Sequence, residues 1–546
     1  MKKYWPLILI LIFGTLLRYY HNLDISLWHD EAFSALMIRY PWGEMFYRLG
    51  LDVHPPMYYI FLRFWHDVFG DSLFSLRSFS VTFGVASIVA AYALVKEAFK
   101  SEHAALWAAS LVAINPFQLQ YVTEARMYTM GAFFALLGAY FLVKALNQQK
   151  QLHADSALHM PNLPVDLRLK RCLAWNYVGF TVSMIIMIYT HYYLFFTAAA
   201  LGLYGLLFLY FHHKWDWKKY QALVLCFLAV AISFLPWLKT FLYQLKQVGA
   251  SYWIPPMDIW SIPSTFWDML LGLGRDTAKT STEFWLVVVL LFCLYLLYRF
   301  IRKTESFHKY LIVLAVLAPF AGAMLFAILA RLKGSQTSVY LDRYFLFASM
   351  FFSVAVAVWL KEIKLKWLSV SLFVVYCCLN LFTFSHYWQQ LDVGSKPGMS
   401  AAARYLSSNV EPNHKLFVGS SFMFFNLKYY WTQKNNGQLL MGEMDDTDTG
   451  YHFLNNVQPL LFTGGTAQAS EISHFAGSAL LADSDLLPDF KSAAHSGDTI
   501  WLVWTNGFGA SKPDVPLTWV QVDEHSYAEV RPYVGTYVYV TEYKVN

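Results

Sequence analysis

Long apolar runs fill the first 384 residues, and basic clusters interrupt them at every second gap. A bilayer span needs about 20 mostly apolar residues. Eleven runs approach or exceed that length: roughly 5–22, 73–95, 104–120, 127–146, 173–189, 192–211, 221–243, 284–300, 310–330, 344–360 and 367–384. The fifth and sixth are separated only by Thr190 and His191, which predicts a tight helical hairpin. Beyond residue 384 the pattern changes. Clusters of Gly, Asn, Asp and Ser separate short strand-like runs, clearest at 415–418, 499–504 and 535–543, and Met399–Leu406 reads as a short helix. The expected fold is an α-helical polytopic membrane protein with about 11 transmembrane helices and a C-terminal extracytoplasmic α/β domain. The membrane domain covers 1–384, with a long first outer loop at 23–72, and the α/β domain covers 385–546.

Composition supports that division. Hydrophobic residues make up 57% of the chain and charged residues only 14%, and mean hydropathy is +0.38, which excludes a disordered chain and argues against a soluble enzyme. A net charge of +5 gives no reason to expect nucleic acid. The five cysteines all lie in or beside apolar runs, and none follows Ser385, so the C-terminal segment has no disulfide.

Charge sets the expected orientation. Lys2 and Lys3, Lys96 and Lys100, Lys144 to Arg171, Lys214 to Lys219, Arg299 to Lys309 and Lys361 to Lys366 occupy every second gap. This is the positive-inside pattern. It places the N-terminus in the cytoplasm, the C-terminal segment outside, and the chain in the cytoplasmic (inner) membrane.

Three outer segments are dense in functional groups. The first loop carries S-L-W-H-D-E-A-F, with the adjacent acids Asp30 and Glu31, and then L-D-V-H-P-P, with Asp52 and His54 beside a rigid Pro-Pro turn. A carboxylate there can take a proton from an attacking hydroxyl. A divalent cation, if one is used, would fall to Asp30, Glu31 and His54. The second segment, Asn115 to Tyr128, holds Glu124, Arg126 and Tyr128, and Glu124 and Arg126 are expected to begin a helix. The third holds Arg331, Lys333 and the D-R-Y run of Asp342, Arg343 and Tyr344. Arg126, Arg343 and Arg77 all fall at helix starts, the wrong end for a cation unless an anion lies near. Guanidinium binds phosphate in bidentate fashion, and snorkelling to headgroups is the alternative. His191, in the hairpin turn, is a weaker candidate.

Together these residues resemble the GT-C superfamily of membrane glycosyltransferases. The resemblance is to bacterial relatives of protein O-mannosyltransferases and of lipid A aminoarabinose transferases. Asp30-Glu31 matches the acidic pair of the family's first outer loop, and D-V-H-P-P its H-P-P element. L-R-S-F-S-V-T-F-G at 76–84, T-E-A-R-M-Y at 123–128, T-H-Y-Y at 190–193 and D-R-Y at 342–344 are similar to further family elements. The resemblance covers about residues 1–384. It implies transfer of a sugar, hexose or pentose, from a polyprenyl-phosphate-linked donor to a hydroxyl on the outer face of the membrane, by inverting direct displacement. Asp30, with Glu31, would be the base or its partner. Arg126, Arg343, Arg77 and His54 would hold the donor phosphate, supported by Asp52, Glu124, Tyr128, His191 and Asp342. The acceptor would be a lipid, a glycan or a protein. The chain lacks a W-W-D-Y-G-type motif and a set of three sugar-binding repeats, and both absences count against protein. Rival classes are a polyprenyl-glycan transporter, which would carry charges near the bilayer midplane, and a membrane receptor, which would not need the acids of the first loop.

Overall fold

The computed structural model describes residues 4–546 except 158–166, 251–252, 273–281, 336, 433–452 and 532–534. The chain forms two compact units. A helical unit comprises Met1–Tyr20, His54–Tyr58 and Ser80–His386, and a sheet-bearing unit comprises His21–Val53, Tyr59–Phe79 and Tyr387–Asn546. The expected first outer loop therefore groups mainly with the C-terminal segment.

Among the described residues, nine helices are long and apolar enough to cross a membrane. In chain order the helices up to residue 391 are α1 (Trp5–Tyr19), α2 (His29–Met37), α3 (Trp42–Leu51), α4 (Met57–Phe69), α5 (Leu73–Phe99), α6 (Glu102–Ile114), α7 (Pro116–Val122), α8 (Tyr128–Ala157), α9 (Leu167–Thr190), α10 (Leu194–His213), α11 (Trp217–Ala250), α12 (Ser261–Leu271), α13 (Thr282–Lys303), α14 (Lys309–Leu332), α15 (Leu346–Lys361) and α16 (Lys366–Leu391). The other two expected spans are shorter. α1 has 15 residues, and the run at 104–120 is broken into α6 and α7. The break has a local cause. Pro116 has no N–H to donate and disfavours helix at Asn115 before it. Asn115 leaves the helical region and caps α7 by accepting the Gln118 N–H at 3.2 Å.

Arg18 joins two of these helices. Its side chain is 1% exposed, and its guanidinium donates to the carbonyls of Gly14, Val112 and Ala113 at 2.9–3.1 Å. The last two belong to the C-terminal turn of α6, where a cation suits the helix dipole.

In the sheet-bearing unit the expected α/β alternation is present. α17 (Gly398–Asn409), β1 (Lys415–Val418) and α18 (Ser421–Trp431) precede β2 (Pro459–Phe462), β3 (Leu486–Leu487), a one-turn helix α19 (Phe490–Ala493), β4 (Thr499–Thr505), β5 (Trp519–Glu529) and β6 (Thr536–Val545). The six strands form one sheet in the order β3-β2-β1-β4-β6-β5. β1 to β4 pair in parallel, and β6 and β5 close the sheet antiparallel. β1 and β4 are almost wholly buried, which suits a parallel sheet covered on both faces. Phe417, Phe490, Ile500, Leu502, Trp519 and Tyr543 form part of its core.

Glu529 ends β5 inside this unit. It is 4% exposed, and its Oε1 accepts the Met399 N–H at 2.6 Å in the first turn of α17. Gly398 lies at φ +51°, and a Cβ there would come within 2.3 Å of the Glu529 carboxyl. Burial pushes that carboxyl up to about 8, only partly offset by the Met399 N–H. The folded chain therefore keeps a proton that the unfolded chain, with its carboxyl near 4.5, releases. Stability falls as pH rises through that window, because the native state binds more protons there. Thermal unfolding in detergent should show the wild-type midpoint dropping between about pH 5 and pH 8 relative to Glu529→Gln. Parallel pH curves for the two proteins would show that the buried carboxyl does not titrate as described.

Candidate active site

The candidate residues divide between the two units. In the sheet-bearing unit the S-L-W-H-D-E-A-F run becomes the start of α2, with Asp30 and Glu31 in its first turn, the end of a helix that favours negative charge. The two acids have different surroundings. Asp30 is half-buried, whereas Glu31 is fully buried. Arg77 meets Glu31 in a bidentate pair: Nε donates to Oε1 at 2.9 Å and Nη2 to Oε2 at 2.8 Å. Arg77 also donates to the carbonyls of Asn22, Ile25 and Ser26. A second guanidinium, from Arg531, lies 3.7 Å from Glu31 Oε2.

This corrects the expectation for Arg77. All five of its N–H groups meet acceptors within the protein, and its side chain is 0% exposed, so it has nothing left to offer a donor phosphate. A cation at a helix start is explained here by a protein carboxylate. The same geometry engages the Glu31 carboxylate with two guanidinium groups. Among the described residues no group of three or more His, Cys, Asp or Glu side chains could hold a metal ion. Asp52 is buried at the C-terminal cap of α3.

α2 is held from the C-terminal segment. The Leu27 N–H donates to the Tyr430 hydroxyl at 2.9 Å. The Ser26 hydroxyl donates to the Pro397 carbonyl at 2.8 Å and accepts the Ser400 N–H at 3.1 Å. The His29 ring packs on Phe422 and Phe425, with centroids 5.0 and 5.5 Å away. α18, which carries both phenylalanines, is itself pinned where Lys428 meets both carboxylate oxygens of buried Asp485 at 3.1 Å.

In the helical unit the remaining candidates gather just ahead of α8, α10 and α15. Arg126 does not begin a helix as expected. It lies in the bend between α7 and α8, which starts at Tyr128. Arg126 Nη2 donates to His54 Nε2 at 3.0 Å, which fixes His54 as an acceptor at that nitrogen. Arg343, in the 3-10 turn Asp342–Phe345, stands over the rings of Tyr128 (5.8 Å) and Trp253 (5.5 Å). His191 packs 4.7 Å from Tyr344 and 5.9 Å from Tyr128. Burial first, and then the positive charges of Arg126 and Arg343, hold the His191 imidazole well below its ordinary range. It is therefore neutral, and its Nδ1 accepts the Tyr193 N–H at 3.1 Å.

Acids complete the cluster. Glu124 is buried, and Asp342 Oδ1 accepts the Thr265 hydroxyl at 2.9 Å. Burial first, and then the negative charges of Glu124, Asp342 and Asp268, raise the Tyr121 hydroxyl well above its ordinary range, against the opposing pull of Arg343. Asp268 of α12 escaped the sequence reading. Its signal was present, since a carboxylate inside the apolar stretch S-T-F-W-D-M-L-L has to be buried with partners or face a polar site.

Comparisons with known proteins agree with this architecture. Residues 53–155 match the family model described as dolichyl-phosphate-mannose-protein mannosyltransferase. Among the curated proteins none matches the chain by sequence. The structure is similar to that of ArnT from Cupriavidus metallidurans bound to undecaprenyl phosphate, at 12% identity and TM-score 0.57, over 98% of this chain and 97% of that one. For the apo state of that protein the TM-score is 0.58 at the same identity and coverage. The resemblance to GT-C membrane glycosyltransferases holds at the level of fold: a polytopic helical bundle with a C-terminal mixed sheet.

Glu31 and Asp30 should respond differently to substitution. Glu31→Gln leaves two buried guanidinium groups facing a neutral amide, and breaking such a pair costs about 3–5 kcal/mol. Thermal unfolding of the purified variant in detergent should show that loss, whereas Asp30→Asn should unfold with the wild type. Equal stability of Glu31→Gln and wild type would remove Glu31 as the anchor of α2.

Proposed function

We propose that this protein is a membrane glycosyltransferase that uses a polyprenyl-phosphate-linked sugar and passes it to a hydroxyl of a lipid or glycan acceptor at the outer face of the cytoplasmic membrane. The observation that carries this reading is the cluster of Arg126, Arg343, His54 and neutral His191 ahead of three helices, in a chain with the fold of a protein that binds undecaprenyl phosphate. Two guanidinium groups with aromatic neighbours suit a phosphate at the membrane interface, with its lipid tail among apolar helices.

The chemistry assigned to these residues is one displacement. The acceptor oxygen attacks the anomeric carbon, its proton passes to a carboxylate oxygen of Asp30, and the bond from that carbon to the phosphate oxygen breaks. The electron pair leaves with the lipid phosphate, and the anomeric configuration inverts. Asp30 is the residue of the acidic pair suited to this, because it is half-buried and Glu31 is already paired. Arg126 and Arg343 stabilise the charge that grows on the leaving phosphate. No step is assigned to a metal.

The test uses purified protein, a panel of undecaprenyl-phosphate hexoses and pentoses, and a membrane lipid extract as acceptor. Wild type should transfer one panel sugar, and Asp30→Asn should lower transfer by about 10²-fold or more. Arg126→Ala and Arg343→Ala should weaken binding of a non-hydrolysable undecaprenyl-phosphosugar analogue by about 10- to 150-fold, the value of one charge-assisted hydrogen bond. Wild-type turnover by Asp30→Asn would overturn the base assignment. Unchanged analogue binding by both arginine variants would overturn the phosphate assignment.

Orientation has its own test. Alternating basic loops place the segment after residue 384 outside. A reporter active only outside the cytoplasm should work after Asn546 and fail near Gln149. The reverse pattern would invert the topology and with it the face at which transfer occurs.

A further inference from the structure

We infer that Thr265 of α12 is a positioning residue for donor binding: its hydroxyl fixes the turn from which Arg343 extends. The inference rests on reading Arg343 as a ligand of the donor phosphate. All the residues it uses belong to the helical unit.

The turn is supported from two sides. Asp342 and Arg343 are consecutive in the 3-10 turn Asp342–Phe345, which runs directly into α15. On the N-terminal side residues 337–341 form neither helix nor strand. There the support comes from side chains of α12. Thr265 is 0% exposed, and its Oγ1 lies 2.9 Å from Asp342 Oδ1 and 2.6 Å from the Tyr340 hydroxyl. The Ser261 carbonyl lies 3.0 Å from both hydroxyls. A hydroxyl has a single proton to donate. The carboxylate is the stronger acceptor, so the Thr265 proton goes to Asp342. The Thr265 oxygen is then free to accept, and Tyr340 donates across the shorter contact. Tyr340 and Asp342 are both held by one hydroxyl, and fixing Asp342 fixes the backbone that carries Arg343.

α12 is itself immobilised. At its C-terminal end Asn115 Nδ2 donates to the Met269 carbonyl and the Tyr376 hydroxyl to the Leu270 carbonyl, both at 2.9 Å. These are carbonyls that a helix end leaves without intrahelical partners. Gly272 follows at φ +67°, so close to the α6–α7 break that a Cβ would lie 2.4 Å from Pro116 Cβ. Phe266, next to Thr265, stacks on Phe320 of α14 with centroids 5.0 Å apart. The break at Asn115–Pro116 thus connects to the candidate phosphate site through α12. Arg343 stands over the rings of Tyr128 and Trp253, and a shift of its turn would carry the guanidinium off the point those rings define.

The test is a double-mutant cycle in the full-length protein, read as binding of the non-hydrolysable undecaprenyl-phosphosugar analogue. Thr265→Val keeps the branched shape and removes the hydroxyl, and it should weaken binding by about 10-fold, as for loss of one hydrogen bond to a charged group. Thr265→Ser keeps the hydroxyl and should bind within about 2-fold of wild type. In an Arg343→Ala background Thr265→Val should cost less than about 2-fold more, because a residue that acts through Arg343 has nothing left to position. A merely structural role would lower the thermal midpoint without that coupling. Should Thr265→Val fail to fold, Thr265→Ala removes the same hydroxyl and takes its place in the cycle. Wild-type binding by the variant that lacks the hydroxyl, or additive losses in the cycle, with Arg343→Ala weakened, would overturn this inference alone. So would a loss in Thr265→Ser equal to that in Thr265→Val. Wild-type binding by Arg343→Ala would overturn both this inference and the role of Arg343 at the phosphate.

Discussion

A carboxylate and a guanidinium buried together organise the acidic end of this protein. Removing two such charges from water costs several kcal/mol for each ion, and only near-ideal geometry repays it. Glu31 and Arg77 have that geometry. Their contact is bidentate, and the other Arg77 N–H groups reach three backbone carbonyls of the chain that leads into α2. One side chain therefore fixes the approach of the chain and the start of the helix.

The contrast within the acidic pair follows from this. Two adjacent like charges would each disfavour ionisation of the other. Neutralising one by arginine removes that repulsion. In the helical unit Arg126 and Arg343 stand among Glu124, Asp342 and Asp268, and burial with the nearby positive charge keeps His191 neutral.

Much of this was legible in the sequence, where a single physical signal dominated. Apolar run length located the spans, and short apolar or alternating runs located β1, β4 and β6, because each rests on burial of a continuous pattern. The break at Asn115–Pro116 was missed because both halves are equally apolar and only backbone chemistry separates them. Arg77 was misread for a different reason. Its position at a helix start predicted an anion correctly, but sequence spacing does not show that Glu31, 46 residues away, supplies it. Arg531 could not be placed at all, since its partner is set by tertiary packing. The grouping of α2 with the C-terminal segment was likewise invisible, because nothing local in residues 21–53 requires a partner more than 370 residues away.

That last feature bears on how the chain is made. Ser26 pairs with Pro397, Leu27 with Tyr430 and Arg48 with the Ala479 carbonyl, at separations of 371, 403 and 431 residues. A ribosome adds about 5–20 residues each second. The turn that bears Asp30 thus emerges tens of seconds before the residues that hold it. Glu31 and Arg77, only 46 apart, can meet as soon as α5 is made. Their pairing shields two charges during the wait and leaves the turn ready for the sheet when it arrives. The acidic turn is thus among the first parts of the protein to be synthesised and among the last to be finished.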